Sequence, residues 1–163
     1  MLTTFVNRRF LISIAVVANF SGCATQSRPV SLADTLAITP ELSTLSSMVV
    51  KAGLTDTLKG TGPFTVFAPT NAAFDKVPTK TMDELRKDAA KLKAVLTYHV
   101  LPGKLMAADI KNSNAKTVNG ANLALSKAGD FVTVEDGLVQ VADLPATNGV
   151  VHIIDSVLIP PAK

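Results

Sequence analysis

The chain has 163 residues, with 16 Lys and Arg against 13 Asp and Glu, which gives a formal net charge of +3. Two of these basic residues, Arg8 and Arg9, lie in the N-terminal segment. The remainder is therefore nearly balanced in charge, and a nucleic-acid-binding or anionic-membrane-binding surface is not indicated. The chain contains 1 cysteine, which excludes an internal disulfide, so the fold must be stable through its core alone.

Residues 1–22 have the features of a signal peptide that is removed from the mature protein. Positive charge precedes an apolar stretch at residues 10–20, which is too short to span a bilayer as a mature helix. The step Phe20-Ser21-Gly22-Cys23 resembles a bacterial lipobox, in which the cysteine is acylated and becomes the new N-terminus. We therefore expect lipidation of Cys23 and an outer-membrane lipoprotein of the bacterial cell envelope. The alternative is secretory cleavage after Ala24, which predicts a secreted or periplasmic protein.

The first helical signal after this segment lies between residues 39 and 53. Thr39-Pro40-Glu41 combines a capping residue, a first-turn proline and a first-turn acid, which predicts a helix start. Apolar residues at Leu42, Leu45 and Val49 form one stripe of this helix, and Gly53 ends it.

Residues 62–78 are predicted to form a strand, a turn and a short helix. Pro63 and Pro69 bracket five residues rich in aromatic and β-branched side chains, which is typical of a short strand. Because apolar side chains lie on both faces, we expect the strand to be covered on both sides. Thr70 or Asn71 caps the helix that carries Phe74 inward. The core predicted for the whole domain includes Phe64, Val66, Phe67, Phe74, Leu92, Leu96, Val151 and Ile153.

Two more helices are predicted before residue 100. Thr81 and Glu84 have capping-box spacing, which predicts a helix start at Thr81. Asp88 is a candidate cap for the next helix, and His99 falls on its apolar stripe. A histidine on an apolar stripe is usually buried and hydrogen-bonded, so His99 is predicted to be structural, with a polar group of residues 62–78 or 148–161, such as Thr70 or Asn71, as its partner.

From Val100 onward the sequence changes to short apolar segments separated by tight-turn signals. Residues 132–141 predict a β-hairpin, since Asp136-Gly137 supplies the positive φ angles of a type I′ turn. Pro102-Gly103 and Asn119-Gly120 are further turn signals. Helices first and a β-meander afterwards indicate an α+β domain.

Three stretches of the chain resemble the fasciclin domain. Residues 62–74 are similar to the first sequence box of that family, Tyr98-His99 to its Tyr-His pair, and residues 148–161 to its second box. The resemblance implies one α+β domain at residues 30–161, preceded by a tether at 23–29. Its N-terminal helices would pack on a β-sandwich or wedge of short strands. The residues expected to carry the structural motif are Phe64, Val66, Phe67, Pro69, Thr70, Asn71, Phe74, His99, Gly149, His152 and Asp155.

The chemistry-bearing residues fall into no recognisable catalytic frame. The chain has 2 histidines, and it contains no H-E-x-x-H, no G-x-S-x-G and no phosphate loop. We therefore predict no catalytic residue, no metal and no cofactor. Tyr98, with its apolar ring and polar tip, suits the edge of an interface.

The resemblance implies function by contact, because fasciclin domains occur in secreted and surface-anchored adhesion proteins that bind proteins or glycans. The Tyr-His pair and an Asp-Ile pair are implicated in integrin binding in some animal members. They correspond here to Tyr98-His99 and Asp143-Leu144, with Leu where the motif has Ile. Pro145 stiffens the turn that presents the second pair. The predicted binding residues are Tyr98, Asp143, Leu144 and Pro145.

The sequence thus predicts a non-enzymatic adhesion or binding module for a surface protein or a glycan. It would meet the membrane through its N-terminal lipid only, would bind no nucleic acid, and would be a monomer or a weak homo-oligomer. Two alternatives are a structural envelope lipoprotein without a soluble ligand and a hydrolase that uses His99 or His152.

Overall fold

The computed structural model describes residues 30–161, so the predicted signal peptide, Cys23 and the tether lie outside the described residues. The helices in this range are α1 (Leu32–Ile38), α2 (Ser43–Lys51), α3 (Thr55–Lys59), α4 (Asn71–Asp75), α5 (Thr79–Lys87) and α6 (Ala89–Tyr98), with a 3-10 helix at Pro40–Leu42. The strands are β1 (Phe64–Pro69), β2 (Val100–Pro102), β3 (Ser113–Lys116), β4 (Asn122–Ala128), β5 (Phe131–Val134), β6 (Gly137–Ala146) and β7 (Gly149–Ile154). None of the helices between residues 30 and 161 has the length and apolar character needed to cross a membrane.

The strands form one sheet in the order β2-β1-β7-β6-β5-β4-β3. β1 and β7, the second and third strands in this order, run parallel, and the other neighbouring strands are antiparallel. The Val118 amide, just after β3, donates to the Val100 carbonyl of β2 at 2.8 Å, so the two edges of the sheet curl toward each other. The predicted α+β architecture, with N-terminal helices packed on short strands, is confirmed.

Each face of the sheet carries its own hydrophobic cluster. On the helix side, Val66 and Ala68 of β1 and Val151 and Ile153 of β7 pack against leucines of α1, α2 and α6. The opposite cluster contains Phe67, Tyr98, Leu101, Ile110, Leu123, Leu125, Val132, Val134, Ile154 and Leu158. β1 is therefore covered on both sides, as predicted. Of the predicted core residues, Phe64 is only partly buried, against the helix-side cluster.

The strand–turn–helix unit at residues 64–75 forms as predicted, and its two polar residues have separate roles. Thr70 caps α4, because its hydroxyl accepts from the Ala73 amide at 3.2 Å. Asn71 reaches across to α2, where its side-chain oxygen accepts from the Thr44 amide at 3.0 Å and its Nδ2 donates to the Pro40 carbonyl at 3.1 Å. Asn71 thus satisfies a free amide at the start of a helix that lacks its own capping side chain.

The second box begins with a junction residue, Asn148. Its Oδ1 accepts from the Leu32 amide at 2.9 Å, and its Nδ2 donates to the carbonyls of Leu58 and Gly60. Next to it, β1 and β7 approach so closely that a Cβ on Gly149 would overlap the Phe64 carbonyl oxygen. This position therefore requires glycine. The junction at Asn148 and Gly149 joins α1, α3, β1 and β7.

Two helix-start signals have different outcomes. Asp88 caps α6, since its Oδ1 accepts from the amides of Ala90 and Lys91 at 2.9 and 3.1 Å, which confirms the prediction. The prediction that a capping box starts a helix at Thr81 is wrong. α5 begins two residues earlier, at Thr79, because the extended Pro78 already supplies the carbonyl that accepts from the Met82 amide at 3.0 Å.

The β5–β6 hairpin is present, but its turn is one residue earlier than predicted. Val134 pairs with Gly137, so Glu135 and Asp136 are the central residues, and the positive φ of 51° falls on Glu135. Glu135 is held in that conformation because its Oε1 accepts from the Ala124 amide at 2.9 Å. Gly137 belongs to strand β6, so the prediction of a type I′ turn at Asp136-Gly137 is wrong.

Candidate binding surface

The predicted turn at residues 142–145 is a bulged part of strand β6. The pairing of β6 with β7 shifts register between Val139 and Val141 and again between Val141 and Leu144. Asp143 has a positive φ of 59° at the second shift. Because a bulge bends its strand and redirects its side chains, it presents this part of β6 differently from a regular ladder.

Asp143 is held by two hydrogen bonds. Its Oδ1 accepts from the Ala107 amide at 2.8 Å, and its own amide donates to Nδ1 of His152 at 3.2 Å. The first bond links β6 to residues 103–112, which connect β2 to β3 and are called the 103–112 segment below. The Asp143 carboxylate is therefore already hydrogen-bonded within the domain. This bond fixes the backbone of β6 next to Asp143.

The neighbours of Asp143 divide into buried and exposed side chains. Leu144 is partly buried and packs against the helix-side cluster. Val141 is 42% exposed, and Ala142 and Pro145 are also exposed. We call Val141, Ala142 and Pro145 the β6 bulge surface. Of the residues predicted to bind at this turn, Pro145 is the one whose side chain is exposed.

Tyr98 does not lie at an interface edge, so that prediction is wrong. Its side chain is 2% exposed, and its hydroxyl bonds to the Asn122 carbonyl at 3.0 Å and to Oε1 of Glu135 at 3.1 Å. Burial, and secondarily the Glu135 carboxylate, raises the pKa of Tyr98 to about 12. Tyr98 contacts β4 and the β5–β6 turn, whereas Asp143 contacts the 103–112 segment and β7. The structure thus does not bring the predicted binding residues together.

His99 is a buried structural residue at the end of α6, in agreement with the prediction. Its Nδ1 lies 2.8 Å from the Val95 carbonyl, and its Nε2 accepts from the Leu158 amide at 3.0 Å. This geometry requires a neutral ring with the proton on Nδ1. Burial lowers the pKa of His99 to about 4, against the opposing effect of the Val95 bond. The prediction of a partner among the polar groups of residues 62–78 or 148–161 is confirmed by the Leu158 amide, whereas the named examples, Thr70 and Asn71, are wrong because both cap helices.

His152 is also fully buried, in the middle of β7. Its Nε2 lies 2.8 Å from the Leu105 carbonyl, its Nδ1 accepts from the Asp143 amide, and its ring stacks on Phe67 at 5.4 Å. Burial lowers the pKa of His152, while the Leu105 bond and the Asp143 charge oppose this shift. Residues 30–161 contain no cluster of three or more His, Cys, Asp or Glu arranged to hold a metal ion.

Asp155 and Pro69, two further motif residues, lie at the C-terminal ends of β7 and β1. Pro69 pairs with Ile154 in the parallel ladder. Asp155 Oδ1 accepts from the Leu138 amide at 2.8 Å, and this bond is the main reason that the pKa of Asp155 is lowered. Lys76 lies 3.7 Å from the same carboxylate. These contacts tie the end of β7 to the start of β6.

Two residues that sequence reasoning missed hold the 103–112 segment. The Thr65 hydroxyl donates to the Gly103 carbonyl at 2.7 Å and accepts from the Leu105 amide at 2.8 Å. Lys127 Nζ donates to the Ala107 carbonyl at 2.9 Å. A buried threonine in an apolar strand is a signal for such a role, since a buried hydroxyl needs a partner. The sequence around Lys127 gives no comparable signal.

Comparison with known proteins shows which family this chain resembles in sequence. The family model of the Fasciclin domain matches residues 40–160. Protein sll1483 of Synechocystis is 42% identical over 121 residues, which cover 73% of this chain and 67% of that protein. Cell surface glycolipoprotein MPB83 of Mycobacterium bovis is 42% identical over 129 residues, covering 76% of this chain and 58% of the relative. Immunogenic protein MPT70 of Mycobacterium tuberculosis is 39% identical over 128 residues, covering 76% and 65%. The chain thus spans less than two thirds of these two mycobacterial relatives.

A solved structure shares the fold. It is a FAS1 domain pair from the insect cell adhesion molecule Fasciclin I, with a TM-score of 0.64 and 19% sequence identity over 80% of this chain and 51% of that one. At this level of identity the likeness shows the fold alone. With the family match over most of its length and relatives at about 40% identity, this chain belongs to the fasciclin domain family.

Proposed function

We propose that this protein is a non-enzymatic binding module of the cell envelope that recognises a surface protein or a glycan. Two comparisons support this. One relative carries the name cell surface glycolipoprotein, and the structural neighbour comes from a cell adhesion molecule. The proposal places the contact at the β6 bulge surface.

The observation that carries the proposal is the rigid presentation of this surface. Asp143 fixes the backbone from both sides, through His152 and through the Ala107 amide. Pro145, two positions after Asp143, restricts the backbone there because its ring fixes φ. A partner that contacts Val141, Ala142 and Pro145 would therefore bind a preformed surface and would lose little conformational entropy there.

The histidine geometry supports a binding role over the hydrolase alternative. A general base needs a ring nitrogen within hydrogen-bond reach of the substrate. Both nitrogens of His99 and both nitrogens of His152 are occupied by backbone groups inside the domain. Neither ring has a nitrogen left for a substrate in this conformation.

The substitution Ala142→Arg is expected to weaken adhesion without lowering stability. Ala142 is exposed, so the arginine adds bulk and charge to the β6 bulge surface and removes no internal contact. We expect retention of protein-coated beads on immobilised envelope extract to fall at least about tenfold, equivalent to about 1.4 kcal/mol. The melting temperature should stay within about 2 °C of wild type.

The matched control for this experiment is Ala128→Arg, at the exposed end of β4. It makes the same chemical change away from β6 and should retain full adhesion. Prior protease treatment or periodate oxidation of the extract distinguishes a protein partner from a glycan. Equal retention of both variants would remove the β6 bulge surface as the site. An absence of specific retention for the wild type would favour a structural envelope lipoprotein.

We further propose that Cys23 is acylated and anchors the protein to the membrane, and Cys23→Ser tests this. Two or three acyl chains give stable attachment, whereas one chain is marginal. The wild type should sediment with membranes and carry lipid mass on Cys23, and the serine variant should be released or remain unprocessed. Fractionation and mass spectrometry of the N-terminus provide the measurement. A mature N-terminus at Thr25 without lipid would show secretory cleavage after Ala24 instead.

A further inference from the structure

The 103–112 segment is held in place by side chains from four different strands. Thr65 of β1 binds the segment at Gly103 and Leu105, and His152 of β7 binds it at Leu105. Asp143 of β6 and Lys127 of β4 bind it at Ala107. The segment contains no helix or strand of its own. Its two ends are also tied by the Gly103 amide, which donates to the Pro63 carbonyl at 2.9 Å, and by Asn112 Oδ1, which accepts from the Lys127 amide at 2.7 Å, so its middle depends on the polar contacts above and on the burial of Ile110.

His152 is the member of this set whose contacts depend on its protonation state. In the neutral ring Nε2 donates to the Leu105 carbonyl and Nδ1 accepts from the Asp143 amide. A second proton would turn Nδ1 into a donor that faces another N–H, and it would place a positive charge in a fully buried position. The Asp143 amide would then lose its acceptor, so Asp143 has to move.

A shift of Asp143 is transmitted to the 103–112 segment. The carboxylate of the same residue accepts from the Ala107 amide at 2.8 Å. One protonation event thus weakens the attachment of the segment at Ala107, whereas Nε2 keeps its proton and continues to donate to the Leu105 carbonyl. The bonds that Thr65 and Lys127 make to the segment involve neither His152 nor Asp143 and are not affected directly.

The groups that face the His152 ring set the order of events as the pH falls. β6 contributes one ionisable group, the Asp143 carboxylate, which favours the charged ring. β1 contributes the uncharged Phe67, and the segment contributes the Leu105 carbonyl. His99 bonds only to backbone groups of Val95 and Leu158. We therefore expect His152 to take up a proton at a higher pH than His99.

We propose that His152 is an acid-sensitive latch, whose protonation frees the 103–112 segment from Asp143 at Ala107 and loosens the β6 bulge while the rest of the sheet stays folded. This goes beyond the proposed binding function, since the latch operates whether or not a partner binds at β6. Its consequence is a surface around Asp143 that is rigid at neutral pH and mobile in acid.

Hydrogen exchange of the full-length protein, followed by mass spectrometry at pH 7.5 and pH 5, tests this. Protection factors are corrected for the pH dependence of the intrinsic exchange rate. Peptides that cover the 103–112 segment should lose at least about tenfold in protection at the lower pH, since the opening constant changes up to tenfold per pH unit in the window where His152 titrates. Peptides from β4 should keep their protection.

Two glutamine variants make the experiment specific. His152→Gln retains one donor and one acceptor but cannot be charged, so its segment should show the same protection at both pH values. His99→Gln should leave the pH response of the segment intact. If His152→Gln does not fold, the ring signals of His152 and the Ala107 amide signal in the wild-type NMR spectrum should titrate with one common midpoint.

Four results would overturn the latch. The first is unchanged protection of the segment between the two pH values. The second is a full pH response that persists in His152→Gln. The third is an equal loss of protection in β4 and in the segment, which would mean global unfolding. The fourth is a different midpoint for the His152 ring and the Ala107 amide.

Discussion

Replacing Phe67 by alanine is expected to lower the free energy of unfolding by about 3–5 kcal/mol. The Phe67 side chain is fully buried, at the centre of the cluster on the side of the sheet opposite the helices, and it stacks on His152. Its removal leaves a cavity that β1 and β7 cannot easily close, because each is hydrogen-bonded to a strand on both sides. Because a domain of this size has only about 5–15 kcal/mol of stability, the variant should lose a large part of the total, and its urea denaturation midpoint should fall accordingly.

Phe131→Ala is the matched control for this experiment. It makes the same chemical change at a side chain that is 67% exposed at the start of β5. We expect it to change the free energy of unfolding by no more than about 0.5 kcal/mol. If the two variants had the same denaturation midpoint, the packing assigned to β1 would be wrong.

Acidification from about pH 7 to about pH 4 is expected to reduce the free energy of unfolding by about 3 kcal/mol through His99. The folded pKa of His99 is about 4, whereas its ordinary value is 6.5. Between these values the unfolded chain binds the proton and the folded chain does not. The contribution of neutral His99 to the free energy of unfolding is therefore fully present above its ordinary pKa of 6.5, and it is lost progressively as the pH falls to the folded pKa of about 4.

Urea denaturation of wild type and His99→Gln at several pH values isolates this contribution. His152 adds a loss in the same direction, because its pKa is also lowered. Asp34 and Asp155 act at lower pH, since their pKa values lie below 3.8. The variant should have a flatter stability profile between pH 4 and pH 7. A variant profile parallel to that of the wild type would contradict the assignment to His99.

Features that depend on neighbouring residues were predictable from the sequence. Thr70 and Asp88 cap helices as expected, because a cap needs only a polar side chain and the amides two or three positions later. The coverage of β1 on both faces follows from its apolar residues on both faces. The predicted start at Thr81 failed because Pro78 offered an earlier start to the same helix.

Features that depend on which segments meet in space were not predictable from one sequence. The burial of Tyr98 follows from the position of β4 and of Glu135, which supply its hydrogen-bond acceptors. The pairing of Asp143 with Ala107 and His152 requires β6, β7 and the 103–112 segment to come together. Nothing in the spacing of these residues along the chain encodes that contact, and so the predicted binding turn proved to be a braced bulge.

The parallel pairing of β1 with β7 also sets the point in synthesis at which the sheet can be completed. β1 lies between β2 and β7, and Asn148, just before β7, bonds to Leu32, which is 116 positions earlier. Contacts between such distant residues form slowly, because a long loop must close before they contribute. A chain that emerges N-terminus first therefore holds its helices and β1 without the strand that covers them. In a nascent chain the sheet is incomplete until β7 has emerged, since β7 is the strand that joins β1 to β6.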